Sequence, residues 1–470
     1  MDGPVFQRFA DESPMAVIAA ILLARVFSPE KLDELFEQVR TKQYTQDLLF
    51  STVFDLMNKV VCAIEPSVHS AYQSEEIDVS PTAVYDKLSA LEPVVSAELV
   101  RYSGAQLAPI VGALESKGQD QESQRWLEGY RTKVLDGSCI DATERRIGEL
   151  RKEAAAPLPG KALAVLDPEV GLITDFFPCE DGHAQERRLL GRVLSRVEPG
   201  ELWIGDRNFA TREFLSGIAE REAFFLIREH GNLPWGAAGL EESKGRAENG
   251  QLYEQPIVVE APRGEKATEE GSPETQRLRL RRVRLVLDEP TRNGETEIVV
   301  LTDVPVSDAS AEQVAALYRK RWTIERAFQE LSDHLEAEIE TLGYPKAALF
   351  GFAVGFVSYN VLSVLKSALA SVYGRESVEE EVSGYYIAGE ISKTHEGLMI
   401  ALPPERWAEA AAMPLPETAD LLRGIAENAN LDQYQKHPRG PKKPPPKRTK
   451  SKHKPHVSTA KLLAQRKEVS

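Results

Sequence analysis

Five short apolar runs between residues 131 and 228 constrain the fold of this chain more than any other feature of the sequence. Each has the length of a β-strand, and helical stretches at 184–197 and 211–221 separate the last three runs. The runs are residues 134–140, 162–166, 172–177, 202–204 and 223–227. Three strands in succession, followed by strand–helix alternation, predict an α/β fold with a mixed sheet flanked by helices.

The segments on either side of these runs differ in predicted class. Residues 1–130 read as helical, with start signals such as Ser80-Pro81, a capping serine before a proline at the first helical position. The helix that begins there, 81–91, could be the later helix of a helix-turn-helix or could simply pack. Residues 229–296 are predicted to be a β-rich insertion, because Asn293-Gly294 lies between two alternating runs as in a hairpin.

Two helices are predicted after the insertion. An amphipathic pattern over 309–339 predicts one long helix, and the apolar stretch 347–365 predicts another. The second stretch contains Asn360 and is followed by Lys366, which favours a buried core helix over a membrane span. The predicted divisions are a helical N-terminal domain (1–130), an α/β domain (131–228 and 297–375), the insertion (229–296), a C-terminal helical region (376–435) and a basic tail (436–470).

The net charge of −16 conceals a strong asymmetry along the chain. Residues 436–470 contain twelve Lys or Arg and one acid, so this tail carries +11 and residues 1–435 carry −27. With Pro444-Pro445-Pro446 at its centre, the tail is predicted to be an extended, disordered arm. It could bind nucleic-acid phosphates or only keep the chain soluble. The acidic body means that any DNA contact has to come from local basic patches.

Cysteine usage and the first residues predict a cytoplasmic protein. The three cysteines are far apart and odd in number, which excludes a disulfide scaffold and favours a reducing compartment. Residues 1–14 contain three acids and no long apolar run, so no targeting signal is expected. Gly160-Lys161 lacks the other residues of a phosphate-binding loop, so no nucleotide cofactor is expected. Cys179 and His183 form a single pair, too few ligands for a structural zinc site.

Acidic residues at the ends of predicted strands are the best candidates for chemistry. Asp136 lies inside the first run, where an unpaired carboxylate is disfavoured unless it binds something. Asp206 follows the fourth run, at the carboxyl end where functional residues of α/β sheets collect. Each could also be a turn or capping acid, and Asp167, before Pro168, is interpreted in that way.

A third acid, Glu325, lies in the predicted helix 309–339. Tyr318, Arg321 and Glu325 are spaced i, i+3 and i+7, so they share one face of a continuous helix. The alternative is a solvated stripe with an Arg321–Glu325 pair across one turn. Apolar residues such as Ile324 and Phe328 would stabilise the helix without any function for the polar set.

Taken together, these residues resemble the DDE transposases of insertion-sequence family four. The resemblance covers residues 130–365, and its motifs are Leu135-Asp136-Gly137, Gly205-Asp206-Arg207 and the Tyr318, Arg321, Glu325 set. It implies a ribonuclease H-like catalytic domain, formed by 131–228 and 297–375 and interrupted by the insertion.

The resemblance assigns a role to each residue of these motifs. Asp136, Asp206 and Glu325 would be the catalytic carboxylates and would hold two divalent ions, Mg²⁺ with Mn²⁺ as a possible substitute. Tyr318 and Arg321 would contact DNA. Arg207 and Arg228 are further candidates for that role, because arginine binds phosphate through two hydrogen bonds.

The resemblance also implies a function and partners. The protein would bind the terminal repeats of its own element, hydrolyse phosphodiester bonds there, and transfer the 3′-hydroxyl ends to target DNA. Its partners would be double-stranded DNA, bound through the N-terminal domain among others, and a second copy of the chain on that DNA. No membrane is expected, and the location would be a bacterial-type cytoplasm, in association with the nucleoid.

Several alternatives stay open on the sequence alone. Asp141 competes with Asp136, and Glu330 and Asp333 compete with Glu325 without sharing the face of Tyr318 and Arg321. His183 and Glu186, which follow the third run, are interpreted as surface residues.

One departure from the family pattern supports a second hypothesis. Ser332 stands seven residues after Glu325, where the family has a DNA-contacting Lys. Its presence favours a catalytically inactive, DNA-binding remnant as the alternative function. A third hypothesis, a structural protein with solvated acids, would explain neither the shared helical face nor the basic tail.

Overall fold

A long mixed sheet forms the centre of the protein. The computed structural model describes residues 3–43, 47–115, 125–140, 147–152, 157–262, 275–291, 294–333, 335–339, 341–437 and 456–469. The strands are β1 (Arg131–Cys139), β2 (Pro157–Leu158), β3 (Lys161–Asp167), β4 (Leu172–Cys179), β5 (Glu201–Gly205), β6 (Phe224–Arg228), β7 (Gly236–Ala237), β8 (Glu242–Ala247), β9 (Gly250–Pro262), β10 (Thr275–Leu287), β11 (Glu297–Thr302) and β12 (Val457–Ser458).

The five predicted strands form one half of this sheet. Its order is β4-β3-β1-β5-β6-β11-β10-β9-β7, with β8 paired to β9. Strand β3 is antiparallel to both of its neighbours, β4 and β1, whereas β1, β5 and β6 run parallel to one another. This order and these directions are those of the ribonuclease H-like fold, so the predicted fold class is confirmed.

The β-rich insertion continues the same sheet. Strand β11 pairs with β6, and β10 pairs with β11 over Arg281–Val286, so the predicted hairpin is present. Gly294 has a positive φ of 80°, as such a turn requires, whereas Asn293 lies outside the described residues. The insertion is therefore an extension of the sheet rather than a separate layer.

Helices cover both faces of the sheet. They are α1 (Pro4–Glu12), α2 (Pro14–Val26), α3 (Pro29–Val39), α4 (Phe50–Val61), α5 (Val68–Gln73), α6 (Pro81–Ala90), α7 (Pro93–Glu115), α8 (Leu190–Leu194), α9 (Arg212–Ala219), α10 (Ala311–Arg319), α11 (Trp322–Asp333), α12 (Pro345–Tyr373), α13 (Arg375–Glu381), α14 (Gly384–Ala401), α15 (Pro404–Ala412), α16 (Leu415–Ala426) and α17 (Thr459–Val469). Short 3₁₀ helices lie at Gly148–Lys152, Glu186–Leu189, Arg207–Phe209 and Leu431–Tyr434.

Alternation along the strands divides the core into two parts. Val134 faces the larger core, which contains residues from α2 to α7 and from α10 to α16, and Leu135 faces a smaller core with α8 and α9. The predicted N-terminal helices therefore share one core with the sheet. Helix α6 begins as predicted, with the Ser80 hydroxyl accepting a hydrogen bond from the Ala83 N–H at 3.3 Å.

Helix α12 is the apolar helix that the sequence predicts to be buried. Among the described helices, it alone has the length and hydropathy of a membrane span, and 89% of its most apolar window is buried inside the protein. Its one fully buried amide, Asn360, bonds to the backbone of β4 and to Ser103 of α7. These hydrogen bonds satisfy the buried amide of Asn360, and they agree with the prediction of a buried core helix.

The predicted single helix over 309–339 is wrong, because the chain breaks between α10 and α11. At the break, the N–H groups of Arg321 and Thr323 bond three residues back, to Tyr318 and Lys320, at 3.1 and 2.9 Å. This tighter turn directs Arg321 into the protein, where it is 8% exposed. Tyr318, Arg321 and Glu325 therefore do not lie on one continuous helix, as their i, i+3 and i+7 spacing assumed.

The end of the tail also differs from the extended arm that its composition predicts. Val457–Ser458 pairs with Pro157–Leu158 in a two-stranded sheet, and α17 follows. Pairing of these backbone groups buries Ser458, and Lys461 of α17 forms an ion pair with Asp181 at 3.1 Å. Residues 438–455, which hold most of the basic side chains, lie outside the described residues.

Candidate active site

Register between two parallel strands brings two of the predicted acids together. Leu135 of β1 pairs with Gly205 of β5. Asp136 is the next residue of β1, and Asp206 directly follows the end of β5, so the two occupy neighbouring positions on the parallel pair. Glu325 approaches from α11, which packs against β1.

The Asp136 carboxylate is largely buried and is bonded on both oxygens. Its side chain is 18% exposed, Oδ1 accepts the Gly137 N–H at 2.8 Å, and Oδ2 accepts Arg321 Nη1 at 2.8 Å. Burial raises the pKa of Asp136 to about 6, against the lowering effects of Arg321 and of the Gly137 N–H. The charges of Glu325 and Asp206 raise it further, so both of the other predicted carboxylates act on Asp136.

Asp206 stands at the start of the 3₁₀ turn Arg207–Phe209. Its side chain makes no capping hydrogen bond in this turn. The carboxylate is therefore placed by the backbone of the turn alone, and its charge acts on Asp136 and also on Tyr318. Burial, together with this charge, raises the pKa of Tyr318 to about 12.

Arg321 links two of the three acids. Its guanidinium donates from Nη1 to Asp136, as above, and from Nη2 to Glu325 Oε1 at 2.5 Å. The Nε group is buried and has no hydrogen-bond partner among the described residues. Glu325 remains half exposed, with 50% of its side chain accessible. Arg321 thus partly neutralises the acidic site from within the protein.

The four residues predicted to contact DNA fall into two pairs. Tyr318 and Arg321 are buried, with the Arg321 Cζ 6.0 Å from the centre of the Tyr318 ring. Arg207 and Arg228 both reach Glu295 Oε1, each at 2.8 Å, and this contact lowers the pKa of Glu295. Arg207 is the more exposed of the two and lies directly after Asp206.

The alternative candidates from the sequence either have other partners or lie outside the residues that the structure describes. Glu330 is held by Lys366, with both oxygens 2.8 Å from Nζ. Asp141, and the side chains of Ser332 and Asp333, lie outside the described residues. His183 is exposed, and its backbone N–H donates to Asp181 Oδ1 at 3.0 Å, as expected for a turn.

Three neighbours of the site are not identified as such by the sequence patterns. Glu186, interpreted from sequence as a surface residue, has its carboxylate against Gly137 and accepts a hydrogen bond from Asn208. Glu295 joins Arg207 to Arg228 from the loop before β11. Of these three residues, only Asn208 could be linked to the site from the sequence, because it lies two residues after Asp206.

The donor set suits a hard divalent cation. All three predicted ligands are carboxylates, and their mutual repulsion is already visible at Asp136. Among the described residues, no three His, Cys, Asp or Glu side chains are close enough together to hold a metal ion. Carboxylates are suitable ligands for such an ion. Two of the three carboxylates, Asp136 and Glu325, accept hydrogen bonds from Arg321.

The fold defines a class, a ribonuclease H-like domain, and the three predicted carboxylates lie on β1, directly after β5 and on the helix that packs against β1. Within that class, residues 130–346 match the family described as the transposase DDE domain. The chain is 29% identical over 240 residues to the transposase for insertion sequence element IS421 of Escherichia coli. It is equally similar to a protein of Escherichia coli (strain K12) named as transposase InsL for element IS186A.

These similarities support a DDE transposase without fixing its subfamily. The aligned region is 44% of this chain and 59% of each relative, so the chain spans less than two thirds of their length. A cryo-EM structure of the piggyBac transposase synaptic complex with hairpin DNA aligns over 83% of this chain and 84% of that one. Its identity of 10% and TM-score of 0.34 are too low to add to the assignment.

Proposed function

We propose that this protein is a DNA transposase that binds the ends of its own element, hydrolyses phosphodiester bonds there and transfers the 3′-hydroxyl ends to target DNA. The observation that carries the proposal is the placement of Asp136 on β1 and Asp206 directly after β5, at neighbouring positions of two parallel strands, with Glu325 on the helix that packs against β1. Membership of insertion-sequence family four is part of the proposal and rests on the sequence motifs.

Asp136, Asp206 and Glu325 would hold the metal ions of this reaction. Two Mg²⁺ ions, or Mn²⁺ in their place, would activate the attacking oxygen and stabilise the leaving oxygen of the phosphodiester. Arg321 donates to one oxygen of Asp136 and one of Glu325, so it partly offsets the acidic charge of the carboxylates that would hold the ions.

Several basic groups are available for the DNA. Arg207 is half exposed and adjoins Asp206, so it can reach a phosphate at the site by exchanging Glu295 for it. Arg228 shares the same carboxylate. Tyr318 and Arg321, which lie beside the three carboxylates, are the further DNA contacts that the proposal includes. The basic tail would add affinity that does not depend on DNA sequence.

The assembly proposed for this reaction is two copies of the chain on two element ends. It would act on double-stranded DNA, without a nucleotide cofactor, in a cytoplasm of the bacterial type. The alternative is a catalytically inactive remnant that still binds DNA, and the Ser332 substitution is the observation that favours it.

The test is a cleavage assay on DNA that carries the sequences flanking the gene, with Mg²⁺ or Mn²⁺ and with EDTA as the metal-free reference. The protein is compared with Asp136→Ala, Asp206→Ala and Glu325→Ala. Each substitution removes a metal-holding carboxylate, so nicking at the ends should fall by roughly two orders of magnitude or more while DNA binding is kept.

The matched control is Glu330→Ala, which removes an acid of the same helix whose partner is Lys366. This variant should nick DNA like the wild type. Nicking that survives all three triad substitutions would refute the site. Binding without nicking under either metal would establish the inactive remnant, and Ser332→Lys would then be the variant to assay.

A further inference from the structure

Glu186 lies directly behind the two aspartates. It begins the 3₁₀ helix Glu186–Leu189, its side chain is only 20% exposed, and its neighbours come from β1, from β3 and from the turn after β5. Asn208 Nδ2, after β5, donates to Oε2 at 3.3 Å. Lys161 Nζ, at the start of β3, lies 3.9 Å from Oε1. The carboxylate is therefore held in place and does not form part of a solvated surface.

Gly137 makes the approach of Glu186 to β1 possible. A Cβ atom at position 137 would lie 2.8 Å from Glu186 Oε1 and 2.9 Å from its Cδ. Side chains alternate across a strand, so Gly137 faces the side opposite to Asp136. The Glu186 carboxylate thus supports β1 from behind, one residue after the first catalytic candidate.

The same short helix holds the turn that carries Asp206. Besides the Asn208 amide bond to Glu186, Arg187 Nε donates to the backbone oxygen of Asn208 at 3.0 Å. Asn208 is the middle residue of the turn that Asp206 precedes, and Asp206 makes no side-chain capping bond of its own. The position of the Asp206 carboxylate therefore depends on how firmly this turn is held.

A second tether keeps Glu186 itself in position. Lys161 Nζ donates to the carbonyl oxygen of Ala184 at 2.8 Å, which fixes the loop just before the 3₁₀ helix to β3. Lys161 is opposite Cys139 of β1 in the ladder. Glu186 is thus connected to β1, to β3 and to the turn after β5.

We infer that Glu186 is a positioning residue for the metal site, acting through Asn208 to hold the Asp206 carboxylate at a fixed place beside Asp136. The inference rests on the proposed function, since it concerns the same three carboxylates. Glu186 lies on the other side of β1 from Asp136, so it supports the ligands and does not bind the ions itself. A carboxylate ligand that is held in advance loses less freedom when the cation binds.

The test is a double-mutant cycle on full-length protein with two readouts, Mn²⁺ affinity by electron paramagnetic resonance and metal-dependent nicking. Glu186→Ala and Asn208→Ala should each weaken Mn²⁺ binding by about 10-fold or more, the usual cost of losing an outer support of a metal ligand. The double variant should be no weaker than either single variant, because both remove the same contact. Glu186→Gln keeps an oxygen that can accept from Asn208 and should retain most of the affinity.

The matched control is Glu213→Ala, which removes an exposed acid from the first turn of α9 and should leave Mn²⁺ affinity unchanged. Wild-type Mn²⁺ affinity in Glu186→Ala, or additive losses in the double variant, would overturn the inference. Should Glu186→Ala fail to fold, Glu186→Gln and Asn208→Ala decide the question alone. Failure of the proposed function is distinguishable, because Asp136→Ala would then bind Mn²⁺ like the wild type.

Discussion

At the scale of single residues, one guanidinium sets the charge balance of the site. Arg321 is buried and donates to both Asp136 and Glu325, so one cation is shared by two of the three carboxylates. A buried charge is costly unless it is paired, and the pair here compensates only part of the acidic charge. The residue types of the triad were predictable from sequence, whereas the inward turn of Arg321 was not, because it depends on the break between α10 and α11.

Burial of the Asp136 carboxylate, together with its acidic neighbours, predicts how stability depends on pH. The pKa of Asp136 is raised in the folded protein to about 6, from an ordinary value of 3.8. Its contribution to stability is therefore fully present below the ordinary pKa and is lost as pH rises through about 6. The side chain at position 136 of the Asp136→Asn variant has no titrating group. The unfolding free energy of the variant minus that of the wild type should therefore increase by about 1–3 kcal/mol from pH 4 to pH 7, at 1.36 kcal/mol per pKa unit.

Urea unfolding of both proteins at pH 4, 5, 6 and 7 in EDTA measures this difference. Glu213→Gln controls for the loss of one carboxyl group elsewhere in the same domain. If the difference in unfolding free energy between Asp136→Asn and wild type stays constant over this range, the raised pKa of Asp136 would be contradicted.

At the scale of elements, the amide of Asn360 takes the place of a missing strand. Strand β4 is the edge of the sheet, and an edge strand leaves backbone N–H and C=O groups unpaired. The Ile173 N–H donates to Asn360 Oδ1 at 2.7 Å, and Asn360 Nδ2 donates to the Ile173 oxygen at 2.9 Å. Helix α7 covers the same edge closely, since a Cβ on Gly104 would lie 3.2 Å from that oxygen.

Asn360→Leu should therefore destabilise the protein far more than its location in an apolar helix suggests. The change keeps the branching at Cγ but leaves both backbone groups of Ile173 and the Ser103 hydroxyl without this partner. We expect a loss of about 2–5 kcal/mol in unfolding free energy, read from the shift of the urea midpoint. Ser367→Ala, on the same helix, removes only a bond to the Ser363 carbonyl and should cost under about 1 kcal/mol. Equal losses in the two variants would contradict this role.

Sequence patterns predicted the elements better than the contacts between them. The apolar runs of β1, β3 and β5 supply residues to both cores. Burial on both faces of the sheet is therefore visible in the local sequence. The break after Arg319 carries neither glycine nor proline, so no local signal marks it. Glu186 was missed for a similar reason, because its partners Gly137, Lys161 and Asn208 are brought to it only by the order of the strands.

At the scale of the whole molecule, the charge is divided between an acidic body and a basic tail. The body carries −27 and the tail +11, and eight Lys or Arg of the tail fall within 438–455. After this segment the chain returns to the α/β domain, where β12 pairs with β2 and Lys461 contacts Asp181. Composition identified the charge of the tail but not this attachment, which depends on pairing with two residues far away in the sequence.

The division of charge predicts the salt dependence of DNA binding. Replacing the eight basic residues of 438–455 by Gln should reduce the slope of log K against log salt concentration on duplex DNA without element ends. Each phosphate that the tail no longer neutralises lowers the slope by about 0.9. Fluorescence anisotropy over a series of salt concentrations measures it. Lys461→Gln serves as the control, because its side chain is already paired with Asp181. An unchanged slope would mean that the tail only keeps the protein soluble.

The continuity of the sheet has a mechanical consequence. An unbroken ladder of peptide hydrogen bonds runs from β1 through β5, β6 and β11 to β10 and β9. A displacement of the outer strands would therefore reach the strand that precedes Asp206 through backbone hydrogen bonds, since each pair of neighbours from β9 to β5 is bonded.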